Sequence, residues 1–156
     1  MLGKDEIIQR LVYHEGCVLK PYKCSRGYLT IGVGRNLETN PLTREEEKAC
    51  GDYMHGITKN AAFYLLRNDI DRVITECKRL PMWVQLDNER QYALLDMCFQ
   101  LGIGGLLGFK KMLKAMGVGN FKEAAEHCLD SKYARSDTPG RAKRIAKTIE
   151  TGRFVI

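Results

Sequence analysis

Only one stretch of this sequence, residues 17–34, has the pattern of β-strands, and this limited strand content restricts the possible fold classes. The stretch is rich in Val, Tyr, Thr and Ile and is interrupted by Pro21 and several glycines, which is typical of short strands joined by turns. We expect a small antiparallel sheet with its turn at Ser25-Arg26-Gly27. After Pro81 the periodic segments all have helical spacing. The sequence therefore predicts an α+β fold with a small sheet lobe and a larger helical lobe.

Helices are predicted before and after this stretch. Apolar residues at helical spacing predict a short helix over residues 4–14. Thr43-Arg44-Glu45-Glu46 is a capping box that opens a helix to about Met54, and Thr58 caps a long helix that ends near Leu80. Further helices are expected at residues 83–101, 109–116, 120–130 and 139–150, with a glycine-rich break at 102–108.

The length suits one domain. A chain of 156 residues buries roughly two-thirds of its unfolded surface and needs neither a metal nor a disulfide to fold. We expect a single domain over residues 1–156. It comprises a sheet lobe at about 15–57, a connecting helix at about 58–80, and a helical lobe at about 81–156 on which helix 4–14 packs.

Composition excludes several classes of protein. Apolar residues make up 44% and charged residues 28%, which argues against a disordered or collagen-like chain. No apolar run approaches the ~20 residues that cross a bilayer, and residues 1–10 lack the apolar centre of a signal peptide. We therefore expect a soluble protein that folds in the cytoplasm where it is made. The cysteines and histidines have no metal-ligand spacing, so free thiols and no metal site are expected.

Positive charge is concentrated at the C-terminal end. Residues 132–156 carry seven Lys and Arg against Asp137 and Glu150, a balance of +5 out of +6 for the whole chain. A basic end of this kind indicates a polyanionic partner such as nucleic acid, an acidic envelope polymer or a membrane surface. A solvated helix face explains the same charges equally well.

Three residues around the predicted sheet could perform chemistry together. Glu15 lies where a helix leads into the sheet, and Cys24 and Thr30 follow on the hairpin, which folds them back toward one place. Taken singly, each is more often structural: a glutamate at a helix end is usually exposed, a strand threonine usually supports the sheet, and a lone cysteine is usually core. The residues alone therefore indicate a basic α+β domain with a possible cleft.

A longer pattern surrounds these residues. His14-Glu15-Gly16, Leu19-Lys20-Pro21-Tyr22-Lys23 and Gly27-Tyr28-Leu29-Thr30-Ile31-Gly32-Val33-Gly34 resemble, nearly residue for residue, the phage lysozymes of the T-even type, glycoside hydrolase family 24. Glu15, Cys24 and Thr30 match the family's Glu, Asp-or-Cys and Thr positions. Colinear matches continue at Gly56-Ile57-Thr58, Met97-Cys98-Phe99-Gln100-Leu101-Gly102, Gly108-Phe109, Thr138-Pro139-Gly140-Arg141-Ala142-Lys143-Arg144 and Thr151-Gly152.

The resemblance implies a muramidase that cuts the β-1,4 bond between N-acetylmuramic acid and N-acetylglucosamine in peptidoglycan, without a cofactor. Glu15 would protonate the leaving oxygen, and Thr30 would hold the attacking water. Cys24 stands where the family more often has Asp. It would assist that water, or attack the anomeric carbon as a thiolate, or occupy the position without a role.

The resemblance also implies a set of substrate-binding residues. Leu37, Gln100, Phe109 and Thr138 match positions that line the family's substrate groove, and Arg141 resembles the arginine that pairs with the catalytic glutamate. Tyr133 lies near a family tryptophan. The predicted lysozyme-like fold would thus contribute ligand contacts from residues far apart in sequence.

The expected partners follow from the same resemblance. They are bacterial peptidoglycan and, through the basic C-terminal end, the acidic envelope surface, with the chain acting as a monomer. Such an enzyme accumulates in the host cytoplasm, reaches the wall after a holin opens the inner membrane, and causes host cell lysis. Two alternatives remain open: a peptidoglycan-binding protein without full activity, and a basic nucleic-acid-binding domain. The second is disfavoured because only Tyr133 and Phe154 interleave the basic residues.

Overall fold

The computed structural model describes residues 1–155, with the backbone alone described for Ser136. Its helices are α1 (Lys4–Glu15), α2 (Arg44–Cys50), α3 (Lys59–Cys77), α4 (Asn88–Leu107), α5 (Lys110–Gly117), α6 (Phe121–Leu129) and α7 (Pro139–Thr151). The strands are β1 (Val18–Lys23), β2 (Leu29–Gly32) and β3 (Arg35–Asn36), and short 3₁₀ or π turns lie at Tyr53–His55, Trp83–Gln85 and Tyr133–Asp137. The predicted α+β class is confirmed.

The chain divides into two compact units. The first is Lys4–Asp71, and the second combines Met1–Gly3 with the chain from Arg72 onward. The boundary lies within α3, whereas the predicted lobes treated residues 58–80 as a separate connecting helix. The first unit also contains α1 together with the sheet, so the predicted packing of helix 4–14 on the helical lobe stays a prediction.

The sheet of the first unit is antiparallel, in the order β1-β2-β3. Tyr22 pairs with Thr30, and the register shifts between Val18 and Tyr22 through a bulge. The predicted turn is present: the N–H of Gly27 donates to the carbonyl of Cys24 over 2.9 Å. The strand β3 lies just beyond the predicted sheet region and was not predicted, because two residues are too few to show a period of two.

A small apolar core supports this sheet. Ile31 of β2 packs with Cys50, Ile57, Ala61, Ala62 and Leu65, which are all buried. Leu37 and Cys17 are partly buried against the same cluster. The core therefore fixes β2 on α3, and it holds the loop after β3 in place.

A buried ionic cluster joins β3 to α2 and α3. Both terminal nitrogens of Arg35 donate to the Glu46 carboxylate, over 2.9 and 2.6 Å, and Nη1 lies 3.2 Å from Asp69 Oδ1. The Arg35 Nε donates to the carbonyl of Asn40. Burial by itself would raise the pKa of Glu46, but hydrogen bonds from Arg35, the Thr43 N–H and Asn68 outweigh it and lower the pKa to about 2. This cluster ties β3 and the loop after it to α2 and α3.

The second unit is built from helices. Helix α6 packs against α5 and α7, and α7 packs against α4. Its buried side chains include Tyr92, Leu94, Leu95, Met97, Leu106, Met112, Ile145 and Ile149. Within α4, Gly102 has φ +77° and breaks the helix, whereas residues 103–107 are helical again. The predicted break over 102–108 is therefore interrupted: Gly102 takes a left-handed φ, residues 103–107 are helical, and the chain leaves the helix again after Leu107.

Two helices end earlier than predicted. Helix α2 stops at Cys50 rather than Met54, because Gly51 takes φ +67° and its N–H closes on the carbonyl of Glu47. Helix α3 ends at Cys77 rather than Leu80, and a turn follows. All six cysteines are free thiols.

Among the described residues no single helix has the length and apolarity to cross a bilayer. Helices α4 and α5 reach that length and composition only when taken together, and they bend by 100° at the break between them.

Candidate active site

Glu15 is placed by the end of α1. Gly16 takes φ +71° and its N–H donates to the carbonyl of Val12 over 2.7 Å, which ends the helix directly after Glu15. The Glu15 side chain then lies against the turn between β2 and β3: a Cβ added to Gly34 would sit 2.6 Å from Oε2 and 2.8 Å from Cδ. Only glycine leaves room for the carboxyl group at this point of the turn.

Cys24 and Thr30 are tied to a single carbonyl group. The carbonyl oxygen of Tyr28 accepts from the Cys24 N–H over 2.9 Å and from the Thr30 hydroxyl, also over 2.9 Å. Thr30 is buried, with 2% of its side chain exposed, and Cys24 is partly exposed at the end of β1. The hairpin therefore brings these two predicted residues together, as its sequence spacing suggested.

Tyr22 is the cross-strand partner of Thr30. Its pKa is raised to about 12, first by burial and then by the nearby Glu15, Cys24 and Cys17. The phenol remains protonated at neutral pH and can donate a hydrogen bond there.

Three predicted substrate-binding residues lie close together within the second unit. The side-chain amide of Gln100 donates to the Thr138 hydroxyl over 2.7 Å. The Phe109 ring stands edge-to-face on Tyr133, with ring centres 6.1 Å apart. Tyr133 and Thr138 are joined by the π turn, in which the Thr138 N–H donates to the Tyr133 carbonyl over 3.1 Å. The Gln100 Oε1 and the Tyr133 hydroxyl are buried, and neither has a hydrogen-bond partner among the side chains and backbone that the structure describes.

Arg141 is fixed by an aspartate that the sequence analysis missed. Its Nε donates to Asp96 Oδ1 over 2.8 Å, and Tyr92 donates to Asp96 Oδ2 over 2.9 Å. Asp96 is fully buried and Arg141 is 7% exposed. Burial raises the pKa of Tyr133, and the negative charge of the same Asp96 raises it further. One face of α4 carries three of these residues at every fourth position, Tyr92, Asp96 and Gln100. That spacing is also typical of core residues, so the sequence alone does not distinguish them.

Leu37 is the one predicted binding residue of the first unit. Its side chain is partly buried against the apolar core around Ile31, and its N–H donates to the carbonyl of Leu29 over 2.8 Å. Leu37 thus has a structural role, and its predicted binding role stays a prediction. The roles of all eight predicted site residues stay predictions, as does the pairing of Arg141 with Glu15.

Comparison with known proteins identifies the family. A family model described as phage lysozyme matches residues 12–147. The chain belongs to the phage lysozyme family. This family has the lysozyme-like α+β fold that the structure contains.

Relatives of this lysozyme-family chain come from phages and from an amoeba. It is 31% identical to "Probable T4-type lysozyme 1" of Dictyostelium discoideum, over 95% of each chain. It is 31% identical to the endolysin of Salmonella phage P22, over 83% of each. It is also 33% identical to the pre-baseplate central spike protein Gp5 of Enterobacteria phage T4, over 88% of this chain but 26% of the spike protein.

Sequence reasoning missed several residues that support the candidate site. Gly34 lies inside one of the motifs, but only the structure shows its contact with Glu15. Arg35 and Asp69 belong to no recognisable pattern, and they meet through tertiary contacts. Among residues 1–155, no three His, Cys, Asp or Glu side chains are arranged to hold a metal ion.

Proposed function

We propose that this chain is a muramidase that hydrolyses the β-1,4 bond between N-acetylmuramic acid and N-acetylglucosamine in bacterial peptidoglycan. The main support is the placement of one carboxyl group, Glu15, against the turn at Gly34 in the unit where Cys24 and Thr30 share one carbonyl anchor. Membership of the phage lysozyme family supports the same reaction class.

Glu15 acts as the general acid in this proposal. The glycosidic oxygen leaves as the sugar becomes oxocarbenium-like, and it needs a proton at that moment. Contact with Gly34 limits where the carboxyl group can lie, which favours delivery of the proton in one geometry. General acid catalysis of this kind contributes roughly 10²- to 10⁴-fold in rate.

Cys24 and Thr30 act on the side of the attacking water. The hydroxyl proton of Thr30 is engaged by the Tyr28 carbonyl, so Thr30 can accept a hydrogen bond from water through its free lone pair. Cys24 lies beside this position because the same carbonyl holds its backbone. The thiol thus replaces the carboxylate that the family more often uses to assist water.

The wider biological role is host cell lysis, with the enzyme reaching the wall once the inner membrane has been opened. The basic residues of 132–156 are proposed to adsorb the enzyme to the acidic envelope. Similarity to the T4 spike protein supports a second role, in which such a domain cuts the wall locally as part of a larger assembly. Expression of the chain alone in bacteria with a permeabilised inner membrane distinguishes these two roles. Lysis of the cells supports a free enzyme, whereas intact cells, despite activity of the purified chain on cell walls, support a domain that acts within an assembly.

Purified peptidoglycan provides the direct test. The wild-type chain should clear a suspension of cell walls and release new reducing ends. Glu15→Gln should lose at least 100-fold in rate while its unfolding free energy changes little. Glu45→Gln, an exposed substitution on α2, is the matched control and should keep full activity.

The alternatives give different results. A wall-binding protein would sediment with the walls and release no reducing ends. A nucleic-acid-binding domain would leave the walls intact and retain DNA in a salt-dependent way. Full activity of folded Glu15→Gln would contradict the assignment of the acid.

A further inference from the structure

Helix α5 of the second unit has a basic exposed face. Lys110, Lys111 and Lys114 are all exposed, and they lie within about 100° of one another around the helix axis. The other face of the helix is buried, and α5 packs against α6. Within residues 1–155, none of these three lysines forms an ion pair. Their charges are therefore not neutralised by the surrounding protein.

The stability of α5 does not explain these lysines. Residues 97–122 contain four lysines and no Asp or Glu, so the segment is positive throughout. Lys110 and Lys111 begin the helix, where the positive end of the helix dipole favours acidic side chains instead. The arrangement costs the helix some stability, which indicates that the charge serves contact with something else.

Apolar groups accompany the lysines on the same side of the helix. Val118 follows Lys110 and Lys114 at intervals of four residues, which continues one helix face, and it is 76% exposed. Beside it, a Cβ placed on Gly117 would lie 4.0 Å from the methyl group of Met82. The exposed face of α5 thus combines unneutralised positive charge with an apolar end.

We infer that the exposed face of α5 is a peripheral membrane-binding surface, on which Lys110, Lys111 and Lys114 bind anionic lipid phosphates and Val118 enters the headgroup region. The lysine stems are apolar and can lie along the interface while their ammonium groups reach the phosphates. This surface is separate in sequence from the basic residues of 132–156. The inference concerns binding alone and does not depend on the proposed hydrolysis.

Val118 decides between a lipid surface and other polyanions. A nucleic acid or an acidic sugar polymer would neutralise the three lysines but would leave Val118 in water. A bilayer of anionic lipids takes up both kinds of group, because its phosphates lie next to an apolar layer. The partner that matches this face most completely is therefore an anionic bilayer.

Vesicle co-sedimentation tests the charged part of the surface. The wild type should bind vesicles of phosphatidylglycerol and phosphatidylethanolamine, more weakly as salt rises, and should bind phosphatidylcholine vesicles far less. Each lysine near such a surface strengthens binding roughly fivefold, so Lys110→Gln/Lys111→Gln/Lys114→Gln should raise Kd about a hundredfold. Lys114→Gln alone should raise it about fivefold, which keeps the test open if the triple variant folds poorly.

A control of equal charge separates the α5 surface from the net charge of the chain. Arg44→Gln/Lys48→Gln/Lys59→Gln removes three exposed positive charges from the first unit and should change Kd only slightly. Equal losses in the two triple variants would overturn the inference, and so would wild-type binding that is the same on both kinds of vesicle.

The apolar part is tested by Val118→Ser. Binding to the anionic vesicles should weaken several-fold, while retention on a heparin column stays as in the wild type. Met54→Ser, at an exposed methionine of the first unit, is the control and should bind the vesicles normally. Wild-type vesicle binding by Val118→Ser would indicate a general polyanion site and would overturn the assignment to lipid. All these readouts measure binding, so absence of peptidoglycan cleavage would end the proposed function and leave this inference standing.

Discussion

Replacing Gly34 by alanine tests whether the turn between β2 and β3 holds the proposed acid. Two effects can be separated in the structure. Gly34 has φ +68°, a left-handed conformation that costs a residue with a Cβ roughly 1–2 kcal/mol. The new Cβ would also lie 2.6 Å from Glu15 Oε2, whereas ordinary contacts begin at about 3.5 Å. The carboxyl group must therefore move by about 1 Å.

The two effects predict different losses. Strain in the turn should lower the unfolding free energy by roughly 1–2 kcal/mol, which shifts the melting temperature by roughly 2–8 °C for a chain of this size. Displacement of the acid by about 1 Å should lower kcat by about 100-fold. The loss of activity should thus exceed what the modest loss of stability explains.

Gly119→Ala is the matched control. Gly119 has φ +79°, so it carries similar strain, but a Cβ added there has no atom within 4 Å. Denaturant unfolding should show comparable destabilisation of both variants, and wall clearing at 25 °C should show a loss of rate in Gly34→Ala alone. Equal activity of the two variants would refute the claim that the contact with Gly34 positions Glu15.

Two further predictions concern acid stability and surface charge. The pKa of Glu46 is about 2 in the fold, against an ordinary 4.5, so the ionised carboxylate stabilises the folded state by about 3 kcal/mol. This stabilisation is complete above pH 4.5 and is lost as the pH falls toward 2. In denaturant curves Glu46→Gln should lack this part of the pH dependence of the unfolding free energy, and an unchanged pH dependence would contradict the prediction. Charge reversal of Lys132, Lys143 and Lys147 should weaken adsorption to whole walls and flatten the salt dependence of clearing, while turnover of a soluble glycan stays constant; equal losses on both substrates would contradict the proposed division.

Local patterns predicted most elements because they depend on nearby residues. The capping box at Thr43–Glu46 opens α2, and the hairpin turn closes at Gly27 where it was expected. The same local signals misjudged where a helix breaks. Glycines at 102–108 indicated one continuous interruption, but of these glycines Gly102 alone takes a left-handed φ, and residues 103–107 are helical before α4 ends.

The supporting residues of the site depend on tertiary contacts, which a single sequence does not reveal. Glu46 was recognisable as a capping residue, yet its pairing with Arg35 unites segments that no periodicity connects. Gly34 was visible only as part of a motif, and its contact with Glu15 joins segments 19 residues apart. A family resemblance can name the reacting groups, but the groups that hold them in place have to be read from the structure.

The direction of the hydrogen bond at Thr30 bears on the role of Cys24. A hydroxyl has one proton, and that of Thr30 is donated to the Tyr28 carbonyl, so toward a substrate Thr30 can only accept. An acceptor orients a water molecule, whose O–H points to Thr30 and whose lone pair then points away from it. If the Cys24 thiolate attacked the anomeric carbon directly, the water held by Thr30 would take no part in the first step of the reaction. We therefore expect water assistance by Cys24 and inversion, with an α-configured first product by NMR. Cys24→Asp should stay active and Cys24→Ala should lose much of the rate; a β-configured product, or a glycosyl-thioether in intact-mass spectra, would instead indicate nucleophilic attack by the thiol.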